Sequence, residues 1–120
     1  MSVAAVVDLE ADQGADFGFQ LYWLDPTMTP YQLLEPMRME VRRLDDLQLV
    51  TAVSSGAGIT FNPAGGLIQV LIPASTTDTI KADTYVYDLF VSYQENPTST
   101  RRRRLIRGRF ILNQKVTQTL

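Results

Sequence analysis

The chain has 120 residues and contains neither cysteine nor histidine. That excludes disulfides and thiolate metal sites, and it removes the usual neutral-pH general base, the commonest metal ligand and every Ser-His or Cys-His nucleophilic pair. The net charge is only −2, but residues 1–46 hold nine carboxylates against Arg38, Arg42 and Arg43, while residues 81–120 hold eight cations against Asp83, Asp88 and Glu95.

A chain of this length makes one domain, 1–120, that buries about two thirds of the surface its unfolded form exposes. No apolar run approaches the ~20 residues needed to cross a bilayer, and the longest, Gly66–Pro73, is interrupted by Gln69. Asp8, Glu10, Asp12 and Asp16 stand where a signal peptide carries its basic start and apolar core, so synthesis in the cytosol is expected. The dipolar charge pattern lets the two halves pair within one chain or between copies.

Helical periodicity is weak and two-residue alternation recurs at short intervals. The pattern predicts an all-β, two-sheet antiparallel β-sandwich, immunoglobulin-like or jelly-roll-like, of about seven or eight strands. Val3–Val7 is the first strand. Asp8, Glu10 and Asp12 share one parity but straddle that strand's end, which favours a solvated acidic loop over a calcium site. In Phe17–Leu24, Phe17, Phe19, Leu21 and Trp23 form the core face. Asp25–Pro30 is a loop set by two prolines and an aspartate. Met37, Met39 and Val41 alternate with Arg38, Glu40 and Arg42 in a half-exposed strand. Asp45 and Asp46 are adjacent and point apart in a strand, against a shared-proton dyad or a cation clamp.

Leu47–Val53 continues as a strand, followed by a brief Ile59–Phe61 segment between glycine clusters. Gly56-Ala57-Gly58 and Gly65-Gly66 serve turns, because neither precedes a helix or a Lys-Ser/Thr pair that would bind phosphate. Leu67–Ile72 reads as a central strand with little solvent contact. Ala74–Thr79 is a polar crossover with room for one helical turn. Thr84–Tyr93 and Arg102–Leu112 then form a hairpin around Glu95–Thr100, and the last residues, 117–120, form a loose tail. Within the hairpin, Tyr85 is placed either as a tyrosine corner, bonding back across the preceding connection, or as a plain core aromatic beside Tyr87.

The last strand is expected to put Ile106, Gly108, Phe110 and Leu112 on one side and Arg101, Arg103, Arg107 and Arg109 on the other. Three readings of those arginines stand open: phosphate contacts to nucleic acid, a protein interface exploiting the bidentate guanidinium, or a charged strand that blocks aggregation. An acidic chain with little lysine and no recognition motif counts against the first.

Several segments together resemble the small β-sandwich modules of tailed-bacteriophage structural proteins of the fibre, baseplate and collar type. They are Asp16–Trp23 with its Asp-Pro loop, Met37–Arg42, Gly66–Thr77, Tyr85–Leu89, and Leu105–Phe110 followed by Val116-Thr117. The resemblance implies a non-enzymatic virion protein of the tail, collar or fibre-attachment region, present in many symmetric copies, gripping other virion proteins without a cofactor or metal. The arginine density at the start of the last strand departs from that pattern. The interface is placed on Arg101, Arg103, Arg107 and Arg109, with apolar help from Tyr22 and from Met28 in the Pro26–Pro30 loop. A capsid cement protein and a small nucleic-acid-binding module are the alternatives. On this reading, reversing the charge of Arg103 and Arg107 leaves the domain folded, and Trp23→Ala costs roughly 3 to 5 kcal/mol as a core truncation.

Overall fold

The computed structural model describes residues 4–24, 27–28, 32–62, 64–96 and 98–115. Among them the chain is nearly all β: β1 (Ala5–Val6), β2 (Leu9–Asp12), β3 (Phe17–Tyr22), β4 (Gln32–Arg43), β5 (Leu49–Ser55), β6 (Gly58–Asn62), β7 (Leu67–Ile72), one helical turn α1 (Ala74–Thr77), then β8 (Asp83–Asn96) and β9 (Ser99–Asn113). The expected loose tail lies outside the described residues. The strands follow one hydrogen-bonded path, β1-β9-β8-β4-β5-β6-β7-β3, with β2 also on β9.

This path corrects the expectation of purely antiparallel pairing. β1 and β2 both run parallel to β9, and β5 meets β6 through a short parallel register at Ser54–Gly58 and Ser55–Ile59. At that corner Gly58 adopts φ 110°, and a Cβ there would sit 2.6 Å from Val53 Cγ1, so only glycine fits. The sheet is therefore mixed, and it curls. Phe17 of β3, at one end of the path, meets Phe110 of β9 edge-on with ring centroids 5.2 Å apart. The curl closes an apolar interior in which Met37, Met39, Leu89 and Ile68 are fully enclosed. β8 is 14 residues long, about 44 Å at about 3.4 Å of rise per residue.

β7 is a one-sided strand, not the doubly buried one expected. Its even residues are buried, but Gln69 is exposed and Leu71 is 50% exposed, because among the described residues no element covers the outer surface of β3, β6 and β7. There Gln69 Nε2 donates to Gln20 Oε1 at 3.2 Å and Thr60 Oγ1 donates to Gln69 Oε1 at 3.4 Å, a neutral polar ladder across three strands.

The acidic stretch after β1 is likewise a strand and not a loop. Leu9–Asp12 pairs with Phe110–Asn113, Ala11 is buried, and Asp12 Oδ1 accepts from Asn113 Nδ2 at 3.2 Å. Between β1 and β2 the backbone stays in step with β9, and Asp8 Oδ1 takes the Arg109 amide at 3.0 Å in place of a carbonyl. The Val7 carbonyl instead accepts the Tyr87 hydroxyl. Burial, with Asp8 nearby, pushes that hydroxyl's pKa up to about 12, so it remains a donor. Tyr87 stands opposite Gly108, where a Cβ would fall 2.2 Å from the Val7 oxygen. Glycine is required at 108 by that approach.

Tyr85 behaves as the tyrosine corner: its hydroxyl donates to the Lys81 carbonyl at 2.5 Å, tying β8 back to the connection that follows α1. Thr77, buried within α1, accepts the Gly14 amide at 3.1 Å and donates to the Ala15 carbonyl at 2.8 Å, tying that crossover to the β2–β3 turn.

Gly108→Ala is expected to destabilise the domain by about 1 to 3 kcal/mol, because the new methyl must push the β1–β2 segment off β9. Urea unfolding monitored by circular dichroism measures it; Gly65→Ala, whose Cβ would meet nothing within 4 Å, is the control.

Candidate functional site

The last hairpin carries the arginines, and its register decides where each one points. From Asp83↔Leu112 to Leu89↔Ile106 the ladder is regular, but Phe90 then pairs with Arg104, leaving Leu105 without a partner. The cause is local. Leu105 and Ile106 are adjacent and both apolar, and a regular strand can turn only one of them inward; the extra residue of a β-bulge admits both, and both contact the core. Beyond the bulge the parity of β9 is reversed.

The expected set Arg101, Arg103, Arg107 and Arg109 therefore does not share a face. Arg107 and Arg109 are exposed on the outer surface, joined there by Arg102 and Arg104. Arg103 is opposite Val91, which is fully buried, and Arg101 is opposite Tyr93. Arg103 lies at the mouth of the curl with its guanidinium carbon 5.6 Å from the centre of the Trp23 ring, a cation–π arrangement, and Trp23 in turn meets Tyr93 edge-on at 4.9 Å. Its Nε is enclosed without a hydrogen-bond partner. Trp23 is half-buried rather than enclosed, so the truncation cost expected of a core tryptophan is too high for it. Tyr22 is 63% exposed at the end of β3, and Met28, at φ 64°, is 72% exposed after it. Neither belongs to the β8–β9 arginine surface, and the rest of the Pro26–Pro30 loop, apart from Thr27, lies outside the described residues.

Sequence reasoning missed the contribution of β4. Its even residues pair across β8 to β9 in three rows: Arg38–Phe90–Arg104, Glu40–Asp88–Arg107 and Arg42–Val86–Arg109. The twelve-residue β4 reaches this register despite Pro36, whose neighbourhood bulges. There the Ser92 hydroxyl donates to the Pro36 carbonyl at 2.6 Å and the Met37 amide donates to Ser55 Oγ at 3.2 Å. The signal was present in the alternation of Arg38, Glu40 and Arg42, but not their distance from β9.

Six guanidiniums, those of Arg38, Arg42, Arg102, Arg104, Arg107 and Arg109, thus share one surface with Glu40 and Asp88, and with Asp8 at the rim. Glu40 is held between Arg38 Nε at 2.7 Å and Arg42 Nη2 at 2.8 Å, and those bonds, Arg38's first, keep its carboxyl below the usual range. Burial pushes the Asp88 carboxyl up, against the pull of Arg104 at 3.9 Å. Among the described residues, Arg102, Arg107 and Arg109 have no carboxylate within ion-pair distance. Val6, Leu47 and Phe90, at 67%, 57% and 39% exposure, add apolar surface beside them. Such a surface binds anions by charge and fork geometry. No group of three or more metal-ligating side chains occurs among the described residues.

Arg103 is half-buried with its Nε enclosed, so its charge reversal is costlier than that of the exposed Arg107. Arg103→Glu is expected to cost about 1 to 3 kcal/mol, since it removes the cation from Trp23 and encloses a carboxylate, whereas Arg107→Glu is expected to stay within about 0.5 kcal/mol. Thermal unfolding of the two single variants measures the contrast. Because the Glu40 carboxyl is held low, its pairing stabilises the fold above its unfolded value of 4.5 and is lost as pH falls through the lower folded one. Glu40→Gln is therefore expected to flatten the stability profile below about pH 4.5, at a cost of under about 1 kcal/mol at pH 7.

No family model matches the chain, and no curated protein matches it. Among solved structures, extracellular domains 3–5 of Drosophila OTK align over 92% of this chain at 15% identity with a TM-score of 0.29. The chain covers 33% of that structure's length, and a likeness this slight carries no argument about fold or function.

Proposed function

We propose that this chain is a non-enzymatic structural protein of a tailed-bacteriophage virion, working as an adaptor in the tail, collar or fibre-attachment region. The curled sheet then acts as a two-layer sandwich, with β3, β6 and β7 stacked over β4, β5, β8 and β9. Its mechanism is multivalent: each copy offers a modest contact, and symmetric repetition makes the assembly stable. The observation that carries this reading is the arginine surface of β4, β8 and β9, exposed on a stiff scaffold and left with a surplus of cations on a chain of net charge −2. The virion setting rests on the resemblance in the sequence segments.

Electron microscopy of particles carrying a gold-labelled copy of the protein tests it. Label at the tail, collar or fibre attachment is the expected result. Label confined to the head surface identifies a capsid cement protein instead, and absence from purified particles removes the virion reading.

A further inference from the structure

We infer that the outer surface of β4, β8 and β9 is a docking site for an extended acidic segment of a partner protein. This goes beyond the virion reading and does not depend on it, since it concerns the chemistry of the surface alone.

Charge is the first argument. Six guanidiniums face three carboxylates, of which Glu40 is already held by two arginines and Asp8 is turned to the Arg109 amide. The uncompensated positive charge gathers on β9. Geometry is the second. Arg102 and Arg104, and again Arg107 and Arg109, are two strand steps apart, about 7 Å, which is also the spacing of alternate side chains in an extended peptide. A partner segment with carboxylates at alternate positions meets these forks in step, and each fork can hold a carboxylate through two parallel bonds.

The surface also distinguishes a polypeptide from a nucleic acid. Asp88 and Glu40 sit side by side in the middle row, where they repel negative charge; a phosphate backbone brings a charge at every step, whereas a polypeptide can set an uncharged side chain opposite them and keep its carboxylates for the flanking arginines. Phe90 lies between Arg38 and Arg104 in its row, and it shares a hollow with Pro36, Arg38 and Arg102. An exposed aromatic among arginines is the composition of a protein interface, and it offers an apolar seat to one side chain of the incoming segment.

The test uses the whole chain and a fluorescein-labelled decapeptide of alternating Glu and Ser with one central Leu. Anisotropy is read at 50 and 200 mM salt, with a ten-nucleotide single-stranded DNA as competitor class. The peptide is expected to bind at 50 mM salt and several-fold more weakly at 200 mM. Arg107→Gln/Arg109→Gln is expected to weaken it about tenfold, while Arg43→Gln, at the end of β4 and of opposite parity to Arg38, Glu40 and Arg42, leaves it unchanged. In the unsubstituted protein, amide NMR shifts on adding peptide are expected at Phe90 and Arg102–Arg109 and not at Gln20 or Gln69. The inference is overturned by no peptide binding at 50 mM salt, by equal affinity in the Arg107/Arg109 variant, or by shifts confined to other strands. Tighter binding of the DNA overturns it in favour of nucleic acid. Self-association of the peptide-free protein that the same double variant abolishes assigns the surface to a second copy.

Discussion

One unpaired residue, Leu105, sets the orientation of every side chain in the first half of β9. The bulge satisfies two neighbouring apolar residues that a flat strand could not bury together, and its consequence is a reversal of parity that reaches Ser99. Arg103 is thereby sent to the mouth of the apolar interior, over Trp23, and Arg102 and Arg104 are sent out to join Arg107 and Arg109. A cationic surface and a cation–π contact follow from a single packing conflict.

The rest of the scaffold holds that strand in place from both sides. β8 pairs along nearly its whole length, and β1 and β2 pair along its other edge. Without the Tyr87 hydroxyl on the Val7 carbonyl, the chain between β1 and β2 would leave a carbonyl unpaired beside Gly108. The curl then brings β3 over β9 through Phe17 and Phe110. The result has two chemically distinct outer surfaces: the Gln20–Gln69–Thr60 ladder is neutral, and the β4–β8–β9 side is cationic.

The dipolar charge pattern is only slightly neutralised within the fold. Glu40 pairs with Arg38 and Arg42 on its own strand, and Asp45 and Asp46 pair with Arg43 beside them. These acids are used up locally, because a carboxylate two or three residues from an arginine reaches it with little loop entropy. Among the described residues, Arg104 of β9 lies within ion-pair distance of Asp88, while Arg102, Arg107 and Arg109 keep their charge at the surface with no carboxylate at that distance.

Local alternation was enough to place β3, β7, the core face of β4 and the β8–β9 hairpin, since each depends on a period of two and on neighbouring turn residues, and the polar run after Pro73 left room for the single turn of α1. The hydroxyl bond of Tyr85 was within its reach for the same reason. What the sequence alone could not carry was the partner of each strand. Parallel pairing of β1 and β2 with β9, the exposure of Leu71 and the strand at Leu9–Asp12 all depend on contacts about a hundred or about fifty residues away. So does the site: Arg38 and Arg42 join Arg104, Arg107 and Arg109 only through β8, and the swap of Arg103 for Arg104 is decided by which of Leu105 and Ile106 must be accommodated opposite Leu89 and Phe90. Residue chemistry determined that this chain would display guanidiniums on a β surface; cross-strand register decided which ones, because a one-residue slip moves a side chain to the opposite face.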